Sequence, residues 1–156
     1  MSDRHPRASA PPVQPAAAPG GAPPAGAAND AAPSRAAAWL DAYAAAWRAG
    51  DAEAAAALFA PDAAYTSDPF GPGLRGPEEI ARYWASATGA QSQLELRVEA
   101  PIADGDRAAA AWRASFVRDG EQVELAACLL LRFGADCRCT DLREYWRQAE
   151  PTDPKT

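Results

Sequence analysis

Few side chains in this 156-residue sequence could do chemistry, and their types narrow the choice early. The only histidine is His5, near the N-terminus, so a Ser/His or Cys/His dyad has no base to use within the folded part. Three cysteines occur, Cys128, Cys137 and Cys139. Cys137-Arg138-Cys139 would supply two soft ligands, but with the histidine far off in sequence no tetrahedral shell can be completed. Buried strand thiols are the expectation, with no metal, and the odd count gives no disulfide framework. No phosphate loop or dinucleotide fingerprint is present, so no cofactor is expected. What remains are carboxylates and tyrosine hydroxyls, whose chemistry is acid/base. Three stand out by their setting: Tyr43 between Trp39 and Trp47, Asp68 in Asp68-Pro69-Phe70-Gly71, and Glu144 alternating with Leu142 and Trp146. Each also has a plainer reading. Tyr43 can be core packing, although a buried hydroxyl needs a partner. Asp68 before proline can cap a turn. Glu144 can pair with Arg113 or Arg132 if the strand register shifts by one residue.

The elements that would position these groups occupy only part of the chain. The first 35 residues hold 11 Ala, 8 Pro and 3 Gly, and residues 1–33 read as a disordered Pro/Ala-rich tail. The domain is expected over 34–149, followed by a short C-terminal tail at 150–156. All five Trp, four Tyr and four Phe follow residue 36, which argues for a folded body despite few aliphatic residues. Net charge is −6, carried by the folded part, so nucleic acid is not an expected partner. Fourteen arginines against one lysine, with abundant Ala, Gly and Pro, read as the coding bias of a GC-rich bacterial genome. No apolar run approaches the roughly 20 residues that span a bilayer, so no membrane association is expected. The N-terminus shows no signal-peptide core, and a cytoplasmic location is the default.

Ser34 suits an N-cap, and Trp39, Tyr43 and Trp47 recur at i, i+4, i+8 before Gly50 ends a first helix. Asp51 can cap a second helix carrying Leu58 and Phe59 and stopping at Ala60-Pro61. A short strand is expected from Ala63 to Asp68, and a loop from Pro69 to Gly76. Pro77 opens a third helix, with Ile80, Tyr83, Trp84 and Ala87 on its packing face. Beyond Gly89 the period becomes 2: Leu94, Leu96 and Val98 alternate, and Trp112, Ala114 and Phe116 share a strand face. Asp119-Gly120 is a type I′ hairpin signal. The return strand is apolar on both faces from 125 to 131, which implies a sheet covered on both sides. A last strand runs from about Arg138 to Arg147. The plan is α+β, three helices from the N-terminal half collected on one face of a curved antiparallel sheet.

Asp41 to Asp51 with Tyr43, Trp47 and Gly50, then Leu58-Phe59-Ala60-Pro61-Asp62-Ala63, Asp68-Pro69-Phe70-Gly71, Leu131-Arg132-Phe133 and Leu142-Arg143-Glu144-Tyr145-Trp146 together resemble the nuclear transport factor 2-like superfamily. Within it they are most similar to the SnoaL-like and ketosteroid isomerase branch. The resemblance covers about 114 residues, from Ala36 to Ala149. It implies a cone-shaped fold with the helices on the concave face around a small-molecule pocket, and a homodimer through the outer sheet face. It also implies roles: Tyr43 as donor to a developing enolate and Asp68 as general base. Leu129 falls where the isomerase has a second oxyanion donor, and it can donate nothing. Loss of one such donor costs about 3–4 kcal/mol of transition-state stabilisation, so steroid isomerisation itself is not implied. The same registration turns Glu144 and Trp146 toward the pocket, opposite Trp112 and Phe116, with Trp84 also lining it. A carboxylate among such aromatics is desolvated and its pKa raised, as an acid/base group near neutral pH requires. Two classes follow: a cofactor-free isomerase, lyase or hydrolase acting on a small apolar molecule through Asp68 or Glu144 with Tyr43, or a noncatalytic domain that only binds a ligand or dimerises.

Overall fold

A computed structural model describes residues 31–150, with side chains from residue 35 onward; the Pro/Ala-rich segment expected to be disordered lies almost wholly outside the described residues, as does the end of the C-terminal tail. Three helices, α1 (Ala31–Ala49), α2 (Ala52–Ala56) and α3 (Gly76–Thr88), pack on a seven-stranded sheet. Its strands are β1 (Phe59–Thr66), β2 (Leu74–Arg75), β3 (Ser92–Val98), β4 (Ile102–Asp104), β5 (Arg107–Arg118), β6 (Glu121–Phe133) and β7 (Cys139–Gln148). The order across the sheet is β2-β1-β7-β6-β5-β3, and β4 pairs with β5. The fold is the α+β cone expected, with an unclosed curved sheet. One pairing differs from a purely antiparallel meander: β1 lies parallel to β7, so the sheet is mixed.

Local sequence explains most boundaries. α1 begins before the expected Ser34 cap, because Ala-rich sequence favours helix and a proline in the first turn sacrifices an N–H with no intrahelical acceptor anyway. Its aromatic stripe is buried, Trp39 stacking on Tyr43 at 5.3 Å between ring centroids. Gly50, at φ +62°, turns the chain out of the helix, a conformation cheap only for residues without a Cβ. Asp51 caps α2 by accepting from the Ala54 N–H at 2.9 Å.

Two expectations around Pro61 need correction. α2 stops at Ala56 instead of reaching Phe59, and Phe59 is the first residue of β1. The strand therefore starts before Ala63 and runs through Pro61. It tolerates the proline because the register against β7 jumps between Phe59 and Ala64, and in that bulge no ladder N–H is demanded of Pro61. Likewise the expected loop from Pro69 to Gly76 ends in β2, whose two residues pair with Ala64 and Tyr65.

The hairpin between β5 and β6 turns on Asp119 (φ 55°) and Gly120 (φ 83°), both positive as a type I′ turn requires. Its register puts Trp112, Ala114 and Phe116 against the helices together with Val123, Ala127, Leu129 and Leu131. The opposite face is not covered within one chain, contrary to the apolar reading of 125–131. Leu130 is 42% and Tyr145 47% exposed there, and Cys128 is exposed as well. Cys139 is the buried thiol of the three.

Candidate active site

Between the helices and the concave face lies a cavity of about 160 Å³, open on one side. Roughly 150 Å³ holds a benzene-sized guest, which sets the scale of any occupant. Helix α1 contributes Tyr43 and Trp47, its i and i+4 positions; α3 contributes Tyr83 and Trp84; β5 contributes Trp112 and Phe116. These rings brace one another edge to face: Trp47 meets Trp112 at 4.8 Å and Trp84 at 5.8 Å, and Tyr43 meets Trp84 at 5.1 Å between centroids. Trp47 is further fixed by its indole N–H, which donates to the Gln91 side-chain oxygen at 2.9 Å.

Glu144 is the one polar or charged residue in the buried core among the described residues, at 5% exposure. Alternation along β7 turns it inward two residues after buried Leu142, and its sheet neighbour on β6 is Leu129. The Tyr65 hydroxyl donates to Glu144 Oε2 at 2.8 Å. The parallel pairing of β1 with β7 makes this bond, since Tyr65 lies opposite Leu142. Among the described residues Oε1 accepts no hydrogen bond. The Trp112 indole N–H lies near enough to the carboxylate to favour its ionised form, yet outside hydrogen-bond geometry, and it is buried without a partner. The Trp84 N–H is likewise buried and unpartnered.

Burial pushes the Glu144 carboxyl above its ordinary range, and the Tyr65 hydroxyl and Trp112 indole offset part of that rise. The tyrosines respond in the same direction. Tyr43 and Tyr65 are held well above the ordinary phenol value, first by burial and then by the neighbouring Glu144 charge. Tyr83 is raised mainly by burial. All three hydroxyls therefore hold their protons more tightly than a free phenol, and Tyr65 donates its hydrogen bond to Glu144, the carboxyl whose proton affinity burial raises.

The residues singled out in the sequence are only partly brought together. Tyr43, Glu144, Trp84, Trp112 and Phe116 share the cavity. Trp146 reaches its edge but is half exposed, and its N–H donates to the Ser67 carbonyl at 3.0 Å. Leu129 is fully buried in the core beneath Glu144 and is absent from the cavity wall. Asp68 is not brought to the cavity. It is exposed, and its Oδ1 accepts from the Phe70 N–H at 2.9 Å while its carbonyl accepts from Gly71, an Asx turn. Asp68 lies two residues past the end of β1 at Thr66, whereas Tyr65, inside the strand, points inward. Tyr65 was the missed member of the site, and Tyr83 was read only as packing; the clue was a buried carboxylate that needed a donor. Neither Arg113 nor Arg132 pairs with Glu144; Arg132 lies 3.9 Å from Asp106.

Among the described residues no group of three or more His, Cys, Asp or Glu is placed to hold a metal ion, and no helix is long and apolar enough to cross a membrane.

Comparison with known proteins gives the fold a context. The family model described as the SnoaL-like domain matches residues 40–142. No curated protein matches the chain. Among solved structures, a protein with a ketosteroid isomerase-like fold from Catenulispora acidiphila, in complex with trimethylamine, aligns with a TM-score of 0.61 and 22% identity, covering 69% of this chain and 83% of that one. A Mycobacterium tuberculosis LEH-like epoxide hydrolase aligns with a TM-score of 0.62 and 20% identity, over 73% and 84% of the two chains. RV0760c of Mycobacterium tuberculosis aligns with a TM-score of 0.64 and 18% identity, over 74% and 97%. At these identities the likeness speaks for the fold alone.

Proposed function

The chain belongs to the SnoaL-like domain family, and from that premise we propose that it is a cofactor-independent acid/base enzyme acting on a small, largely apolar molecule. One observation carries the reading: a buried carboxylate, Glu144, bonded to Tyr65 at the wall of an aromatic cavity of benzene-scale volume. Glu144 exchanges the proton with the substrate through Oε1. Tyr65 orients the carboxylate through Oε2 and stabilises it when ionised, because hydrogen bonds to charged groups are the stronger ones. Tyr43, on the opposite wall, supplies a neutral hydroxyl to oxygen charge developing on the substrate. Asp68, held in its turn, has no part in this scheme.

The neighbouring folds support a small-molecule site of this kind: one is named as an epoxide hydrolase and another is in complex with trimethylamine. Isomerase, lyase and hydrolase outcomes all use the same proton transfer. The alternative, a noncatalytic binding domain, keeps the cavity and loses only the role of Glu144. In either case we propose a homodimer through the outer sheet face, favoured by the apolar side chains Leu130 and Tyr145 that one chain leaves exposed there.

The test uses a compact carbon acid that reports a buried base whatever the native substrate, 5-nitrobenzisoxazole. Abstraction of its C–H proton by Glu144 breaks the N–O bond and releases a coloured cyanophenolate. Glu144→Gln is expected to lower this rate by roughly 10² to 10⁴, the usual worth of a positioned general base. A rate unchanged in a folded Glu144→Gln protein removes the catalytic reading and leaves the binding one.

A further inference from the structure

The charge balance of the cavity carries a further step, resting on the reading of it as a small-molecule site. Glu144 forms no ion pair; all six ion pairs among the described residues join other acids, five of them with both partners more than half exposed. A buried carboxylate is ordinarily paired with a cation, because removing it from water is otherwise costly. The one cationic side chain on the cavity wall, Arg118, sits at the outer end of β5 with its guanidinium 5.8 Å from the Phe116 ring, and it is exposed. The cavity wall that Glu144 shares is built largely of aromatic rings, among them Tyr43, Trp47, Tyr83, Trp84 and Trp112. Ring faces carry negative potential and attract a desolvated cation by about 2 kcal/mol or more. A hard metal ion would need several oxygen ligands, and the cavity offers one carboxylate.

We propose that the occupant of this cavity is a compact organic cation, a small protonated or quaternary alkylammonium, seated against the aromatic walls with Glu144 as its counter-ion. The missing partner of the carboxylate is then the ligand itself. Within the proton-transfer reading, an N–H of a protonated amine is a proton Glu144 can accept and return.

The experiment compares tetramethylammonium chloride with tert-butanol, a neutral molecule of similar shape, by tryptophan fluorescence on the full chain at constant ionic strength and about pH 8. The cation is expected to bind at least about tenfold more tightly, one decade being a 1.4 kcal/mol difference. Glu144→Gln is expected to abolish that preference while leaving tert-butanol affinity in place. Acidification is expected to weaken only the cation, as Glu144 takes up a proton. The tyrosines facing it, Tyr43 from α1, Tyr65 from β1 and Tyr83 from α3, stay neutral over that range, and Arg118 from β5 is the other charged group on the cavity wall. If Glu144→Gln does not fold, Trp112→Phe, which shrinks one aromatic wall, is expected to weaken the cation more than the alcohol. Equal affinity for the two probes, a preference that survives Glu144→Gln, or no cation binding at all overturns the proposal. Base-promoted elimination that persists alongside any of these outcomes leaves the proton-transfer reading standing, and its loss with cation binding intact does the reverse.

Discussion

Replacing Tyr65 with phenylalanine removes one oxygen atom and, with it, the hydrogen bond that holds Glu144 Oε2 at 2.8 Å. The ring remains, braced by Phe59 at 5.8 Å and Tyr83 at 5.5 Å, so the packing loss is small. The cost depends on the state of the carboxyl. Protonated, Glu144 loses a neutral hydrogen bond worth about 1 kcal/mol; ionised, it loses a charge-assisted one worth about 1.5–3 kcal/mol. The destabilisation must therefore grow with pH. The sign follows from linkage. The Glu144 pKa is raised in the folded state, so between the unfolded and folded values the native protein holds a proton that the unfolded chain has released. Stability then falls as pH rises through that window, by at most about 1.4 kcal/mol per pH unit, and levels off above the folded value. Tyr65→Phe pushes the folded value higher and extends the falling limb. Urea unfolding followed by tryptophan fluorescence across this pH range measures both curves, and Glu144→Gln, which has no such titration, supplies the baseline for a double-mutant cycle. A Tyr65→Phe penalty that is the same at every pH, or a coupling to Glu144 of zero, would refute the claim that this hydroxyl stabilises a buried carboxylate.

Other expectations test separate parts of the molecule. Asp68→Asn should change stability by no more than about 0.5 kcal/mol and leave the elimination rate untouched, since asparagine closes the same Asx turn; a large rate loss would return Asp68 to the site. Burial pushes the Cys139 thiol up to about 12, so a thiol reagent at neutral pH should leave it unlabelled until the protein unfolds, while exposed Cys137 labels in the native protein and Cys128, on the outer sheet face, labels more slowly than Cys137 in the proposed dimer. Leu130→Asp, on the open sheet face, should shift light scattering from dimer to monomer at micromolar concentration, and a wild-type monomer under the same conditions would dispose of the dimer.

The strands of the second half were legible because their pattern has one cause. Alternation of Trp112, Ala114 and Phe116 and the pair Asp119-Gly120 follow from pleat and turn geometry, which operate within a few residues. Glu144 was legible for the same reason, as an inward position between Leu142 and Trp146. The first half was harder. Pro61 looked like a helix stop, and only the pairing partner β7 reveals that it sits in a bulge. The Tyr65–Glu144 bond joins residues 79 apart through a parallel pairing, for which neither segment carries a local signal. Asp68 was drawn toward the site by a motif of four residues, but it lies beyond the end of β1, where an Asx turn and not strand alternation sets its direction.

Because β7 is inserted between β1 and β6, the acid and its tyrosine meet only when the final strand slots in beside the first. During synthesis the helices and β1 leave the ribosome long before Glu144 is made, so the nascent chain carries the rings without their carboxylate. A chain cut before Cys139 would also leave facing edges of β1 and β6 without their shared neighbour, and exposed edges invite strands of other molecules. The strand that brings the acid is thus also the one that seals the sheet, so the Tyr65–Glu144 bond and the cover over both edges depend on the same ten residues.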